Sequence, residues 1–311
     1  MITGLTGLTP ANEQFVASVE NLQNQLTNAD NQLSSGLRVN VASDAPGEVE
    51  DIFQARSDLA SVNQTTQNLT NVQAQVNAGD SSLQSAIQLL QNALSLGTQG
   101  SGTTVTSQQQ GALSTQVQDL LSQLVGLSQT QVNGVYIFSG DQSGSPPYQL
   151  DPSSSTGVDQ LVTDQATQQI ADPTGVTFPI SMTAQELFDN SDANGNPTPQ
   201  NAFAALNNLQ LALASGDSAS ISTALGDVQS ASTYLNQQLA FYGTAQNRIT
   251  SALDLAQKFQ LQDQTNLSNL QDTNAPAVAL QLTQDSTDLS AAMSAQARMP
   301  TTSLFDYLPV G

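Results

Sequence analysis

Phe15, Val19, Leu22, Leu26, Ala29 and Leu33 follow one another at spacings of 4-3-4-3-4. On a helix that spacing draws one narrow apolar stripe, an a/d seam, along an otherwise polar cylinder. Burying a large apolar side chain is worth roughly 1.5–3 kcal/mol, while ordering each backbone residue costs about 1–2 kcal/mol. Six stripe positions barely offset the ordering of such a helix, so alone it is marginal. It needs neighbours, and those neighbours need not belong to the same chain. A second seam near the other end, Val278, Leu282, Leu289, Met293 and Ala297, is weaker and richer in alanine.

The chain between these seams carries fuller patterns. Gly36 and the Val39–Ala45 stretch interrupt the first helix, and Pro46 with Glu48, Glu50 and Asp51 reads as the opening turn of the next. Proline tolerates that position and acids there complement the helix dipole. Val62, Leu69, Val72, Val76, Gly79, Leu83, Ile87, Leu90 and Leu94 keep close to a heptad, ending in the glycine-rich run Gly97–Gly102. Leu113, Val117, Leu120, Leu124 and Leu127 make a third helix, followed by Val135–Phe138, an aromatic and β-branched run that suits a strand. From Ser139 to about Gln200 turn signals dominate, and short strands are predicted at 157–162 and 176–181. Ile221, Leu225, Val228, Leu235, Leu239, Tyr242, Ile249, Leu253 and Ala256 then restore a long seam. These interior seams predict internal bundle packing.

The expected fold is mainly α. It is an elongated antiparallel helical bundle or coiled coil formed by both chain ends, with a small β-rich inserted domain. The expected division is 1–42 with 262–311 as terminal assembly segments, 43–140 with 201–261 as a helical rod, and 141–200 as the insert.

Composition removes several function classes. The 311 residues carry a formal charge of −21 with only five cations, Arg38, Arg56, Arg248, Lys258 and Arg298. Nucleic acid needs clustered Lys and Arg, and an anionic membrane repels such a chain. There is no Cys and no His, which removes thiol nucleophiles, disulfides, zinc ribbons and the commonest general base. The chain is therefore read as no enzyme, with no catalytic, cofactor or metal residues assigned. Asn190–Gly195 has two ligand-type residues before a glycine, but Asn190 and Asn201 stand where a calcium loop needs Asp and Glu. A polar turn fits it better. Met1–Leu8 lacks the basic and apolar regions of a Sec-type signal, and no run is long and apolar enough to span a bilayer.

Leu33-Ser34-Ser35-Gly36-Leu37-Arg38-Val39-Asn40, followed by Ser43-Asp44-Ala45-Pro46, resembles the N-terminal signature of the bacterial flagellin superfamily. Leu94–Gly102 resembles that superfamily's leucine-to-glycine stretch. Val135-Tyr136-Ile137-Phe138-Ser139-Gly140 and the ending Thr302–Leu308 are similar to segments of its hook–filament junction members. The resemblance covers about two thirds of the chain, at both ends, and fails across the insert. It implies a structural adaptor at the hook–filament junction that polymerises through its terminal helices. A filament-forming flagellin and a secreted adhesin-like stalk remain as alternatives. It also implies export by the flagellar type III apparatus and an extracellular place in the flagellum. The implied partners are neighbouring copies of itself, another hook-associated protein on the hook side, flagellin on the filament side, and an export chaperone on roughly Thr265–Leu308. The assembly residues expected are Phe15, Val19, Leu22, Leu26, Leu33, Arg38, Val278, Leu282, Leu289, Met293, Leu304, Phe305, Tyr307 and Leu308. Arg38 reads first as a solvated or capping cation near a helix C-terminus, with a bridge to an acid such as Asp44 or Asp285 of a neighbour as the functional alternative.

Overall fold

Seven helices and six short strands make up residues 10–298, the part of the chain that the computed structural model describes. Mainly α architecture is thus observed. The helices are α1 (Pro10–Ser35), α2 (Val49–Gly100), α3 (Ser107–Ser128), α4 (Ala184–Phe188), α5 (Ala202–Ser215), α6 (Ser218–Gln271) and α7 (Ala275–Ala297). The chain divides into a terminal unit, residues 1–60 with 260–311, and an interior unit, Ser61–Phe259. The long helices α2 and α6 contribute to both.

In the interior unit the predicted seams point inward. Leu69, Val76, Leu83 and Leu90 of α2 are buried, as are Ile221, Val228, Leu235, Tyr242 and Ile249 of α6 and Val117, Leu120 and Leu124 of α3. Thr106 opens α3 with a reciprocal capping box to Gln109. The glycines at the end of α2 do more than stop a helix. Gly97 and Gly100 lie within it, and a Cβ on Gly97 would come within 2.6 Å of Leu225 Cδ2. Close approach of α5 and α6 side chains requires them.

Helix α5 has no counterpart in the sequence reading. Its Ala202, Phe203, Ala204, Ala205, Leu206, Leu209, Ala212 and Leu213 are buried, and its outer face, Asn208, Leu211, Ala214 and Ser215, is half apolar, which blurs the helical period.

The β content is three separate antiparallel pairs. Strands β1 (Gln131–Val132) and β2 (Val135–Tyr136) are joined by Asn133-Gly134, both at positive φ, as a tight hairpin turn requires. Strands β3 (Tyr148–Leu150) and β4 (Val158–Gln160) form the second pair, β5 (Gln169–Ala171) and β6 (Thr177–Pro179) the third. Two-stranded pairs are marginal alone. Here Phe138, Tyr148, Val158 and Phe178 enter the same core as α3 and α5. Phe188 links Phe138 and Phe203 through ring contacts at 5.8 and 5.9 Å, and Tyr148 packs on Phe203 at 5.0 Å. The Tyr148 hydroxyl donates to Asp189 Oδ2 at 2.8 Å. Burial and that carboxylate push its pKa well above the usual phenol value.

Gly79 faces the ring of Tyr242, which is buried, and a Cβ there would run into the ring edge. Alanine's better helix propensity is worth about 1 kcal/mol, but overpacking costs about 1–3 kcal/mol. Gly79→Ala is therefore expected to destabilise by about 1 kcal/mol. Gly226→Ala, whose Cβ meets nothing within 4 Å on α6, is expected to stabilise by up to about 1 kcal/mol. Urea unfolding followed at 222 nm checks both; equal effects from the two would remove the contact argument.

Candidate assembly interface

The terminal unit pairs α1 with α7 and joins them through a clasp built on the loop after α1. Gly36, at φ +73, ends the helix in the left-handed conformation. The chain then meets the junction of α6 and α7, where Leu37 and Asp272 form an antiparallel bridge. The Arg38 N–H donates to the Gln271 carbonyl at 2.7 Å, and the Thr273 N–H to the Gly36 carbonyl at 3.0 Å. The Arg38 guanidinium donates to Glu48 and, at 2.6 Å, to the Leu270 carbonyl. Asp44 accepts from the backbone N–H groups of Asn40 and Val41, each at 2.9 Å. Arg38 thus has partners within its own chain. A loop of polar backbone groups would otherwise lose its hydrogen bonds between the helices, and this one cation satisfies two segments at once.

Phe15, Val19, Leu22, Leu26 and Leu33 are half-buried on one face of α1, with Ala29 buried between them. On α7 the inward set is Val278, Leu282, Asp285, Leu289, Ala292 and Gln296. Met293, expected in that seam, is 55% exposed. Strict 4-3 spacing continues from Leu289 to Ala292 and Gln296, and the larger Met293 falls one position off the stripe. The same spacing marks Asp285, midway between Leu282 and Leu289; its charge disguised it in the sequence. Pro46 lies in a turn ahead of α2, which starts at Val49 with the Glu48 carbonyl accepting from Ile52 at 3.0 Å. Leu304, Phe305, Tyr307 and Leu308 lie outside the described residues.

This unit hides little. Among its described apolar residues only Ala29, Val39 and Ile52 are buried. Val16, Val41, Phe53, Leu261, Leu280 and Met293 are large and exposed, against four such residues in the larger interior unit. Exposed large apolar residues are thus denser among the described residues of this unit than in the interior one. Asp51, Asp58 and Asp263 line a groove between the start of α2 and the end of α6. Burial, and secondarily Asp58, raise the Asp263 pKa.

Elsewhere the described residues contain no cluster of three metal-ligating side chains. Asp192 in the once-considered half loop accepts from the Asn194 and Asn196 N–H groups at 2.8 and 2.9 Å. Those bonds, led by Asn196, hold its carboxyl below the usual range. It is a turn residue.

Residues 11–143 match the family described as bacterial flagellin N-terminal helical region. Over 310 residues the chain is 24% identical to flagellar hook-associated protein 3 of Escherichia coli (strain K12), covering 94% of this chain and 96% of that protein. Both matches are similarities to flagellins and their hook-associated relatives. Two solved structures share the fold. One is flagellar hook-associated protein 3 from Legionella pneumophila (TM-score 0.60, 13% identity, 70% of this chain and 98% of that one). The other is the flagellar junction protein FlgL from the same organism (TM-score 0.54, 12% identity, 65% and 99%). The α1 seam and the 36–48 side of the clasp fall inside the matched region, and the 270–273 side lies outside it.

Two predictions follow from this geometry. The Arg38–Glu48 pair is about two-fifths exposed on each side, so as an ion pair it contributes at most about 1 kcal/mol; the bond to the Leu270 carbonyl adds about 1 kcal/mol. Arg38→Ala is expected to speed amide exchange at 36–40 and 271–273 by about tenfold, with part of the difference lost at high salt. Unchanged exchange would mean the clasp holds without the guanidinium. Because the Asp263 pKa is raised on folding, its charged form opposes the fold above that pKa, and the penalty fades as pH falls through it. Asp263→Asn is therefore expected to raise the thermal midpoint slightly near pH 7 and to match the parent below about pH 4. Melting curves across that range check the sign.

Proposed function

We propose that this chain is a structural subunit of the bacterial flagellum, an adaptor at the hook–filament junction that polymerises through its terminal helices. The observation that carries the reading is the terminal unit's incomplete cover. Its two seams face each other, yet the seam leucines stay half-exposed and six large apolar residues face outward. A unit with so little interior gains its stability from further chains. The relatives with this fold carry the names of hook-associated and junction proteins.

In this reading the contacts are made by Phe15, Val19, Leu22, Leu26, Leu33, Val278, Leu282 and Leu289, with Met293 on an outer face and Leu304, Phe305, Tyr307 and Leu308 at the chain end. Residues 1–42 with 262–311 assemble, 43–140 with 201–261 support them, and the 141–200 insert stays clear of the contacts. Neighbouring copies are the first partner. Another hook-associated protein takes the hook side and flagellin the filament side. A chaperone holds the C-terminal segment before export through the flagellar type III apparatus. The role is architectural, with no catalytic step.

The flagellin-region match favours a second reading, a subunit that forms the filament itself. An antibody to residues 141–200, viewed on intact flagella by electron microscopy, separates them: one band at the end of the hook supports the adaptor, and label along the filament supports the second reading. Leu26→Asp places a charge in the half-covered seam while leaving the interior unit untouched. It is expected to yield a soluble monomer with at least about tenfold less assembly; normal filaments from cells carrying it would sink the seam argument.

A further inference from the structure

Helices α5 and α6 leave between them a groove of about 570 Å³ within the interior unit. One part of its lining is aliphatic: Leu211 is 54% exposed there, beside the buried Ala212 and Ala224. The polar part offers acceptors. The Ser215 and Thr223 hydroxyls donate to the Ala212 and Ala219 carbonyls at 2.9 and 3.1 Å, and the Ser220 hydroxyl donates to Asp217. Their protons are thus spent inside the chain, and lone pairs are what they present to the groove. Asp227 is half-buried in the same lining, and among the described residues neither an ion pair nor a hydrogen bond reaches its carboxylate. Burial without a donor pushes its pKa up, and a cation placed beside it would remove that cost. Asp227 is also the lining residue farthest along α6 from the hairpin turn, so the charge sits at one end and the aliphatic surface runs from it toward the turn.

We propose that this groove is a docking site for a basic segment of a different protein, with the aliphatic stem of an arginine or lysine along Leu211, Ala212 and Ala224 and its head group donating to Asp227. A long apolar stem ending in a cation has the same division as the groove. Guanidinium and ammonium groups carry donors and no acceptors, which is what an acceptor-rich lining with an unpaired acid selects. Charge also decides the source. A net charge of −21 with five cations makes two copies of this chain repel, while it draws in a basic partner. The site lies wholly in the interior unit, so it stands or falls apart from the assembly reading of the terminal helices.

The test is methyl NMR on the full-length protein, following Leu211, Ala212 and Ala224 during titration with n-butylguanidinium, an arginine side chain without its backbone, and with butyrate. Saturable shifts with n-butylguanidinium and none with butyrate are expected. Asp227→Asn is expected to weaken the binding about tenfold, while relieving the fold of a half-buried charge. Leu211→Ala, read at the two alanines, is expected to weaken it about threefold. Two peptides, acetyl-Leu-Ala-Ala-Arg-amide and acetyl-Ala-Ala-Ala-Arg-amide, then distinguish a docked segment from a lone cation. The leucine peptide is expected to bind about threefold tighter, and equal affinities would overturn the docking of a segment. Absence of shifts with n-butylguanidinium, or parental affinity in Asp227→Asn, overturns the site itself. Shifts at the same methyls on raising the protein concentration alone would put a second copy in the groove and overturn the choice of partner.

Discussion

Two helices packed side by side can each hide only one stripe, and the rest of the terminal unit is arranged around that limit. Helices α1 and α7 place their seams against one another, yet the leucines along them stay half-covered. Stability that most domains draw from a closed core is here drawn from backbone hydrogen bonds at one end of the pair, where Arg38, Gly36, Gln271 and Thr273 join the two chain segments. The clasp fixes where the helices meet and leaves their far ends to the seam alone. Among the described residues, a unit built this way leaves much of its apolar surface uncovered.

The interior unit is the opposite case. Five helices and two of the three strand pairs share one core, and aromatic rings from the strand region interlock with α5. Close helix approach is obtained by glycine at Gly79, Gly97 and Gly100, where any side chain would meet Tyr242, Leu225 or Leu213. Such packing tolerates little change, which suits a part that carries load rather than one that changes partners.

Most acids are solvated or hold turns, as Asp172, Asp192 and Asp217 do through their own neighbours' N–H and hydroxyl groups. Burial raises the pKa of Asp263 in the terminal unit and of Asp227 in the interior unit, and Asp285 Oδ2 is buried without a partner. In a chain of net charge −21 with five cations, neighbouring acids repel one another and few cations relieve them.

Periodicity by itself determined the helices that have one polar side. The stripes from Phe15 to Leu33 and from Ile221 to Ala256 point inward as spaced, because a solvated face leaves its period in the residue order. The Asn133-Gly134 hairpin and the Gly36 stop follow from backbone sterics alone. Tertiary structure decided the rest. Helix α5 exposes Leu211 and Ala214 beside Asn208 and Ser215, so its outer face is not polar enough to mark a period. Arg38 found Glu48 and the Leu270 carbonyl, partners 10 and 232 positions away, which no local pattern encodes. Asp285 shows the limit most sharply: its spacing was visible, but only packing reveals that an acid is buried there without a donor, since burial belongs to the neighbours and not to the residue.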